Sequence, residues 1–477
     1  MVYPSALVVF LAIFALFLSH IARYAPSEQH KTISKKHTKS FGTYYFTITN
    51  VRFLQSGHSF LLYLCTRNDK NNQKEYMNKF RKIALCCLTF IFALSANAQT
   101  KVKAENPEEV ELVSIVSHLA LVNGYDWDAE DVGVDDYLAE VDSVFAPYRE
   151  HPIVPFIRKN LHNNGFNWHF PMHVALRLYI KGGKIKYDKS LEPDFDDYYD
   201  RISREDEKQF ITLLQDFYKV SHFHDFFVRH KALYDECETA MQRVIDQVDF
   251  SWYDSFFGPR ENSTFHIYTN ILVGPANYAI HQKRKDGVEI INALMGCCIR
   301  SKQGDIYYDT YSTLPIIIHE CNHSYCNPLN EEFWPQLCEK MEAFFAPNAK
   351  HYTDEAYGNA QYVLNETFVE ASVMRYLMTH PFDFTENTKR WLKVLKVSDE
   401  QLEAAPDKVA LLNEAYIKLL TKIDYEDKRF YMIHDVIDAL TEREQKHNLY
   451  PTMRDFMPRY IEVVNAFKTD SLTSNTK

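Results

Sequence analysis

The sequence predicts an α+β fold that is mostly α-helical, with a small mixed sheet and a hairpin next to one motif-bearing helix. Three observations predict it. Only 13 Gly stand against 31 Tyr and 33 Phe, a ratio that disfavours a turn-rich barrel or sandwich. Large aromatics recur among charged residues at helical spacing on both sides of one interruption. That interruption, near Ser263, is a β-branched and aromatic run followed by a hairpin signal.

The first hundred residues read as two beginnings. Residues 5–18 are an apolar run, followed by a basic stretch that includes Lys35 and Lys36. A second start-like pattern appears at Met77. Lys79, Arg81 and Lys82 precede an apolar segment at 83–94, and Ala96-Asn97-Ala98 forms a small-x-small cleavage site before Gln99. This is the layout of a secretory signal peptide, with an apolar segment too short to span a bilayer comfortably. Residues 1–76 then read as a spurious upstream extension and 77–98 as the signal peptide. The expected product begins at Gln99, is periplasmic or secreted, and keeps no stable membrane span after processing.

Charge narrows the partners. Residues 1–98 hold 12 Lys/Arg and 3 Asp/Glu, which leaves 41 basic and 61 acidic side chains on the rest, a net of −20. Such a body has no electrostatic footprint for nucleic acid or anionic lipid, so neither is expected. The six cysteines after Gln99 are Cys237, Cys297, Cys298, Cys321, Cys326 and Cys338. They form no C-x-x-C pair, and read mostly as small buried apolar residues.

Residues 109–122 and 135–148 carry helical periodicity, the second ending where His151-Pro152 breaks it. Further periodic stretches run over 172–181 and 205–247, separated by an acidic loop with Pro193 and Asp194. Residues 265–273 read as a strand ended by Gly274-Pro275. Segments 277–283 and 288–299 flank Asp286-Gly287, a strong hairpin signal. Helical periodicity returns at Leu314 and persists through 330–345, 355–379, 398–423, 427–447 and 453–468.

The returning helix carries His319-Glu320-Cys321-Asn322-His323. Ser312 or Thr313 can cap it, Pro315 is tolerated in a first turn, and Ile316 to Ile318 supply a buried approach. The two histidines are i and i+4, so their rings share a face about 6 Å apart. Two such nitrogens can reach one metal at about 2.0–2.1 Å each. Glu320 projects about 100° around the helix, placed to touch a water that the metal activates without ligating it. Cys321, Asn322, Ser324 and Tyr325 are uncharged where a solvated helix would carry charges. Downstream, Glu366 and Glu370 lie i and i+4 within 355–379, beside Asn365. One carboxylate can ligate while the next hydrogen-bonds the other ring nitrogen of a ligating histidine. The hairpin could pair with an extended peptide by adding a strand, although an ordinary structural hairpin fits as well.

These residues resemble the gluzincin class of zinc metallopeptidases, whose pattern is HExxH followed by Glu from a second helix. The segment Asn365-Glu366-x-x-x-Glu370 resembles the class's Asn-Glu-x-x-x-acid motif, with Glu in place of the more usual Asp. Residues 319–329 (HECNHSYCNPL), 111–125 (ELVSIVSHLALVNGY) and 148–158 look like a family of exported Bacteroidetes proteins of unknown function in that clan. The resemblance implies one zinc ion per chain held by His319, His323 and Glu366, with Glu320 as general base and Glu370 bonded to a ligating histidine. It implies an oxyanion donor beyond the third ligand, for which Tyr425, Tyr431 and His434 are the candidates. It also implies that a peptide or protein is hydrolysed at its amide bonds. A metzincin would need Gly at 326 and His at 329, where this chain has Cys326 and Leu329.

The expected layout is a helical domain over 99–260, a zinc-binding catalytic domain over 261–395 and a helical subdomain over 396–477. Two other functions fit the same motif: hydrolysis of small non-peptide amides, and a catalytically inactive binding protein that retains the helix. The intact Glu320 argues against the second, since an idle site has no physical need for a base.

Overall fold

Strand β1 (Ala104–Glu105) leads into helices α1 (Glu108–Leu119) and α2 (Asp135–Phe145). A hairpin of β2 (Leu178–Lys181) and β3 (Lys184–Tyr187) follows, then α3 (Arg204–Val220) and α4 (Lys231–Ile245). Next come β4 (Ser263–Thr269), β5 (Asn277–Lys283), β6 (Glu289–Met295) and the short pair β7 (Ile299–Arg300) and β8 (Ile306–Tyr307). The remainder is helical: α5 (Thr310–Phe345), α6 (Ala360–Thr379), α7 (Lys408–Glu426), α8 (Ile433–Gln445) and α9 (Met453–Ala466), with shorter turns of helix between the elements. This computed structural model describes residues 101–468, apart from 129–133, 162–164, 196–197, 297–298, 302 and 385–387. The expected extension at 1–76 and signal peptide at 77–98 lie outside the described residues.

The fold is α+β, with a small mixed sheet in the spatial order β1-β4-β6-β5. β4 runs parallel to β1 and β6, while β5 and β6 form the antiparallel hairpin expected around Asp286-Gly287. Gly287 takes a φ of 89°, which its missing Cβ makes affordable in the turn. β5 is the edge, with Tyr278, Ile280 and Gln282 buried between half-buried neighbours. α5 packs against β5 and β6 and along α6, while α6 packs in turn on α7 and α8. Because β1 pairs with β4, segments 99–260 and 261–395 share one sheet, and the described residues fall in one compact unit that begins at Lys101. Cys237, Cys321 and Cys326 are buried thiols outside any disulfide. Among the described residues no helix is long and apolar enough to cross a membrane.

Four segments differ from the sequence expectation. α1 is buried over Val110–Leu119 instead of on one face, because the helix Phe170–Ala175, β2 and the turn Ile271–Val273 all pack against it. Its Glu111 survives burial by accepting from Tyr137 Oη and from Asn270 Nδ2, the latter at 2.8 Å. Residues 172–181 are not one helix. The helix stops at Ala175, and the chain turns through Gly182 and Gly183 at φ 59° and 69° to form the β2–β3 hairpin. The stretch 205–247 is three helices, interrupted at His222 in the left-handed region (φ 53°) and at His230.

The last difference is α5 itself. It begins at Thr310 and runs 36 residues through Pro315, Pro328 and Pro335. Each proline deletes the N–H that would bond the carbonyl four residues back. For Pro315 that carbonyl belongs to Tyr311, which accepts instead from Tyr416 Oη at 2.5 Å. For Pro328 it belongs to Ser324, which accepts from Arg260 Nη1 at 3.1 Å. Arg260 also pairs with Glu289 of β6 at 3.1 Å and lies 4.0 Å over the Tyr325 ring.

Candidate metal centre

α5 and α6 are joined by two amide contacts. Asn322 Nδ2 donates to the Val369 carbonyl at 3.3 Å, and Asn330 Nδ2 to Asn365 Oδ1 at 3.0 Å. Asn365, next to Glu366 in sequence, thus sets the register between the two helices. Asn359 caps α6, accepting from the Tyr362 N–H at 2.9 Å.

On this frame the structure brings His319, His323 and Glu366 together, with one ligand atom from each lying within 4.8 Å of the others. The two Nε2 atoms are 3.1 Å apart, and Glu366 oxygens stand 3.5 Å from His319 Nε2 and 3.6 Å from His323 Nε2. Ligands on a tetrahedral zinc would be about 3.3 Å apart, from bond lengths of about 2.0–2.1 Å. The outer ring nitrogens are both occupied by acceptors. Glu370 Oε1 lies 3.3 Å from His319 Nδ1, and Asn327 Oδ1 lies 3.2 Å from His323 Nδ1. Hydrogens therefore belong on the Nδ1 atoms, which leaves both Nε2 lone pairs for a shared cation.

The electrostatics favour positive charge at that point. Burial lowers the His319 pKa, but Glu370, then Glu366 and Glu320, outweigh it and push the value up to about 10. A cation on Nε2 would take the place of that proton. Burial raises the Glu320 carboxyl, and His319 and His323 only partly offset this. Its carboxylate accepts no hydrogen bond among the described residues, so both oxygens face the centre free of structural duty.

Behind Glu370 stands a cation that the sequence gave no reason to expect. Lys428 Nζ lies 2.5 Å from Glu370 Oε1 and 2.9 Å from Asp424 Oδ1. Burial would raise the Glu370 carboxyl, but Lys428 and His319 hold it well below its ordinary range. Asp424 shifts the other way, raised by burial and by Glu370. Lys428 thus serves chiefly to keep Glu370 charged against His319. Lys428→Met is expected to cut zinc affinity by about 10–100-fold, the usual cost of losing an outer partner of a ligand. Competitive chelator titration would measure it, and an unchanged affinity would refute this role.

The expected oxyanion donors are elsewhere. Tyr425, Tyr431 and His434 line a separate cavity of about 640 Å³ with Asp435, Arg459 and Glu462. Their rings pack on one another, Tyr425 lying 5.3 Å from Tyr431 and 5.4 Å from His434. Among the described residues no hydrogen bond, ion pair or ring contact joins them to His319, Glu320, His323 or Glu366. Their side-chain direction follows from how the ends of α7 and α8 pack, which residue spacing does not encode.

Three residues near the centre went unnoticed in the sequence. His169 is held neutral, its pKa lowered to about 3 by burial, then by Arg201, His173 and His323. Tyr278 of β5 packs on His169 with ring centres 6.5 Å apart, and burial, then Glu320, raises its pKa. Its hydroxyl lies so close to Gly124 that a Cβ there would stand 2.6 Å away. Tyr357, in the loop before α6, is raised by burial and then by Glu366. None of the three falls in a motif.

No curated protein and no solved structure matches the chain. A family described as a domain of unknown function, DUF4932, matches residues 104–392, which include His319, Glu320, His323, Glu366 and Glu370 but stop short of Asp424 and Lys428. The match covers more than half of the 477 residues, so this chain belongs to the DUF4932 family.

Proposed function

We propose that the protein is a zinc-dependent hydrolase, a metallopeptidase that cleaves peptide bonds with Glu320 as general base. The observation that carries the reading is the pair of Nε2 atoms 3.1 Å apart with Glu366 beside both and the Nδ1 atoms engaged elsewhere. Two imidazoles and one carboxylate are the donor set of a hydrolytic zinc site that keeps a fourth position open. Zinc held there would polarise the scissile carbonyl and lower the pKa of a water.

The protein's own groups supply the rest. Glu320 takes a proton from the attacking water as its oxygen bonds the carbonyl carbon, then passes that proton to the amine nitrogen as the C–N bond breaks. Burial raises its pKa, which favours the second transfer without preventing the first. Glu370, charged by Lys428, keeps His319 in one ring orientation. β5, at the sheet edge against α5, supports a peptide as substrate, because an extended chain can add to such an edge.

Metal analysis of the purified protein, combined with digestion of a peptide library, tests the reading. About one zinc per chain is expected, together with peptide cleavage that a chelator stops and added zinc restores. Metal-free protein that gains no zinc on incubation would overturn it, as would zinc-loaded protein that leaves every peptide intact.

A further inference from the structure

A hydrolytic site needs a hydrogen-bond donor where the carbonyl oxygen gathers charge. The residues implied by the family resemblance line another cavity. The loop between α5 and α6 offers a different group.

The short helix Ala349–Asp354 is closed by Ala356, whose φ of 68° is a left-handed conformation that residues with a Cβ avoid. The chain then reverses, and the Tyr357 N–H donates to the Tyr352 carbonyl at 2.7 Å. This turn sets Tyr357 three residues ahead of α6, in which Glu366 lies six residues, or about 9 Å, along the axis. The Tyr357 ring packs on the buried Phe430 with centres 5.3 Å apart. Phe430 is itself anchored to the Lys428 array, since its N–H donates to the Asp424 carbonyl at 2.8 Å. Lys428 Nζ lies 5.8 Å from the Phe430 ring. The ring is therefore fixed by the same residues that orient His319.

The hydroxyl is not part of that scaffold. Tyr357 is half-buried, and its Oη has no hydrogen-bond partner among the described residues. The charges acting on it are those of the centre: Glu366 first, then Lys428 and Glu370. Burial and the two glutamates raise its pKa, so it remains a protonated donor at working pH. A strained turn that spends its distortion on one unpaired hydroxyl beside a metal-ligand cluster is the pattern of a functional residue.

We propose that Tyr357 is a catalytic residue of this site, donating its hydroxyl hydrogen to the scissile carbonyl oxygen as the carbon becomes tetrahedral, an inference that rests on the hydrolase reading. No bond to Tyr357 forms or breaks. The donor precedes the third ligand in sequence, unlike the downstream donors that the resemblance implies.

Tyr357→Phe keeps the ring on Phe430 and removes only the hydroxyl. The expected result is a fall in kcat of about 10²–10³, the usual effect of losing one such donor. KM, zinc content and Tm should stay near wild type. Calorimetric affinity for a phosphonamidate peptide, which mimics the tetrahedral carbon, should fall in parallel, and Tyr431→Phe should change none of these. Tyr357→Phe with wild-type kcat or unchanged phosphonamidate affinity would overturn the proposal. So would zinc loss in that variant, which would make Tyr357 structural, or a kcat loss confined to Tyr431→Phe. A wild-type protein that holds zinc and cleaves nothing would instead overturn the hydrolase reading, and this inference with it.

Discussion

Glu320→Gln is expected to lower turnover by about 10²–10⁴-fold while zinc content and Tm stay near wild type. The substitution keeps the side chain's shape and removes the carboxylate that can accept a proton. Nothing in the fold depends on that carboxylate, because it makes no hydrogen bond among the described residues. Burial also disfavours its charge, so an uncharged amide fits the position at no cost in solvation. Parallel measurements of hydrolysis, bound zinc and melting separate three roles. A variant that cleaves as fast as wild type would show that Glu320 is not the base, and would favour a binding protein that kept the helix. A variant that loses its metal would show that Glu320 is a ligand or a support for one.

His323→Ala should behave differently, losing zinc and activity together. It removes one of the two facing Nε2 atoms and leaves His319 and Glu366 as a two-ligand remnant. The loss in affinity should exceed the roughly 10–100-fold that removal of an outer partner costs. Without metal, variant and wild type should melt at similar temperatures, because the His323 ring contributes a half-buried surface and one contact to Asn327. With zinc present, only the wild type should gain stability, by the usual linkage between binding and folding. Melting curves with chelator and with zinc would check both halves. A His323→Ala protein that still binds one zinc per chain at wild-type affinity would remove His323 from the ligand set.

What the sequence made legible was the part written in short-range spacing. His319 and His323 share a helix face by their separation alone, and Glu366 and Glu370 do the same, so each pair needed only a helix to become a pair. The β5–β6 hairpin was equally local, because Asp286-Gly287 states its own turn. The residues that complete the site are not local. Lys428 and Asp424 read as an ordinary surface pair at i and i+4, and only the packing of α7 against α6 turns them onto Glu370. Tyr357 stands in a loop whose shape depends on Ala356 adopting a conformation that alanine disfavours. The β2–β3 hairpin carried a signal in Gly182-Gly183, but the apolar spacing of the preceding residues suggested a helix running past it. α5 was read as interrupted because Pro328 and Pro335 normally end helices. Its continuity depends on contacts from outside the helix, which no local pattern contains.

Those outside contacts have a mechanical meaning for the centre. Tyr416 reaches α5 at the Tyr311 carbonyl and Arg260 at the Ser324 carbonyl, 13 residues or about 20 Å apart, and the two histidines lie between them. The helix is held like a shaft in two bearings. A slip of one residue would advance it by about 1.5 Å and turn it by about 100°, swinging both imidazoles away from Glu366. The bearings fix its rotational phase, and Pro315 and Pro328, ordinarily the weak points of a helix, are what free the carbonyls that the bearings grip. Unwinding that starts at the far end, near Phe345, stops at Ser324 before it reaches His323. The lifetime of a bound cation is then a property of its ligands and not of the breathing of the helix that presents them.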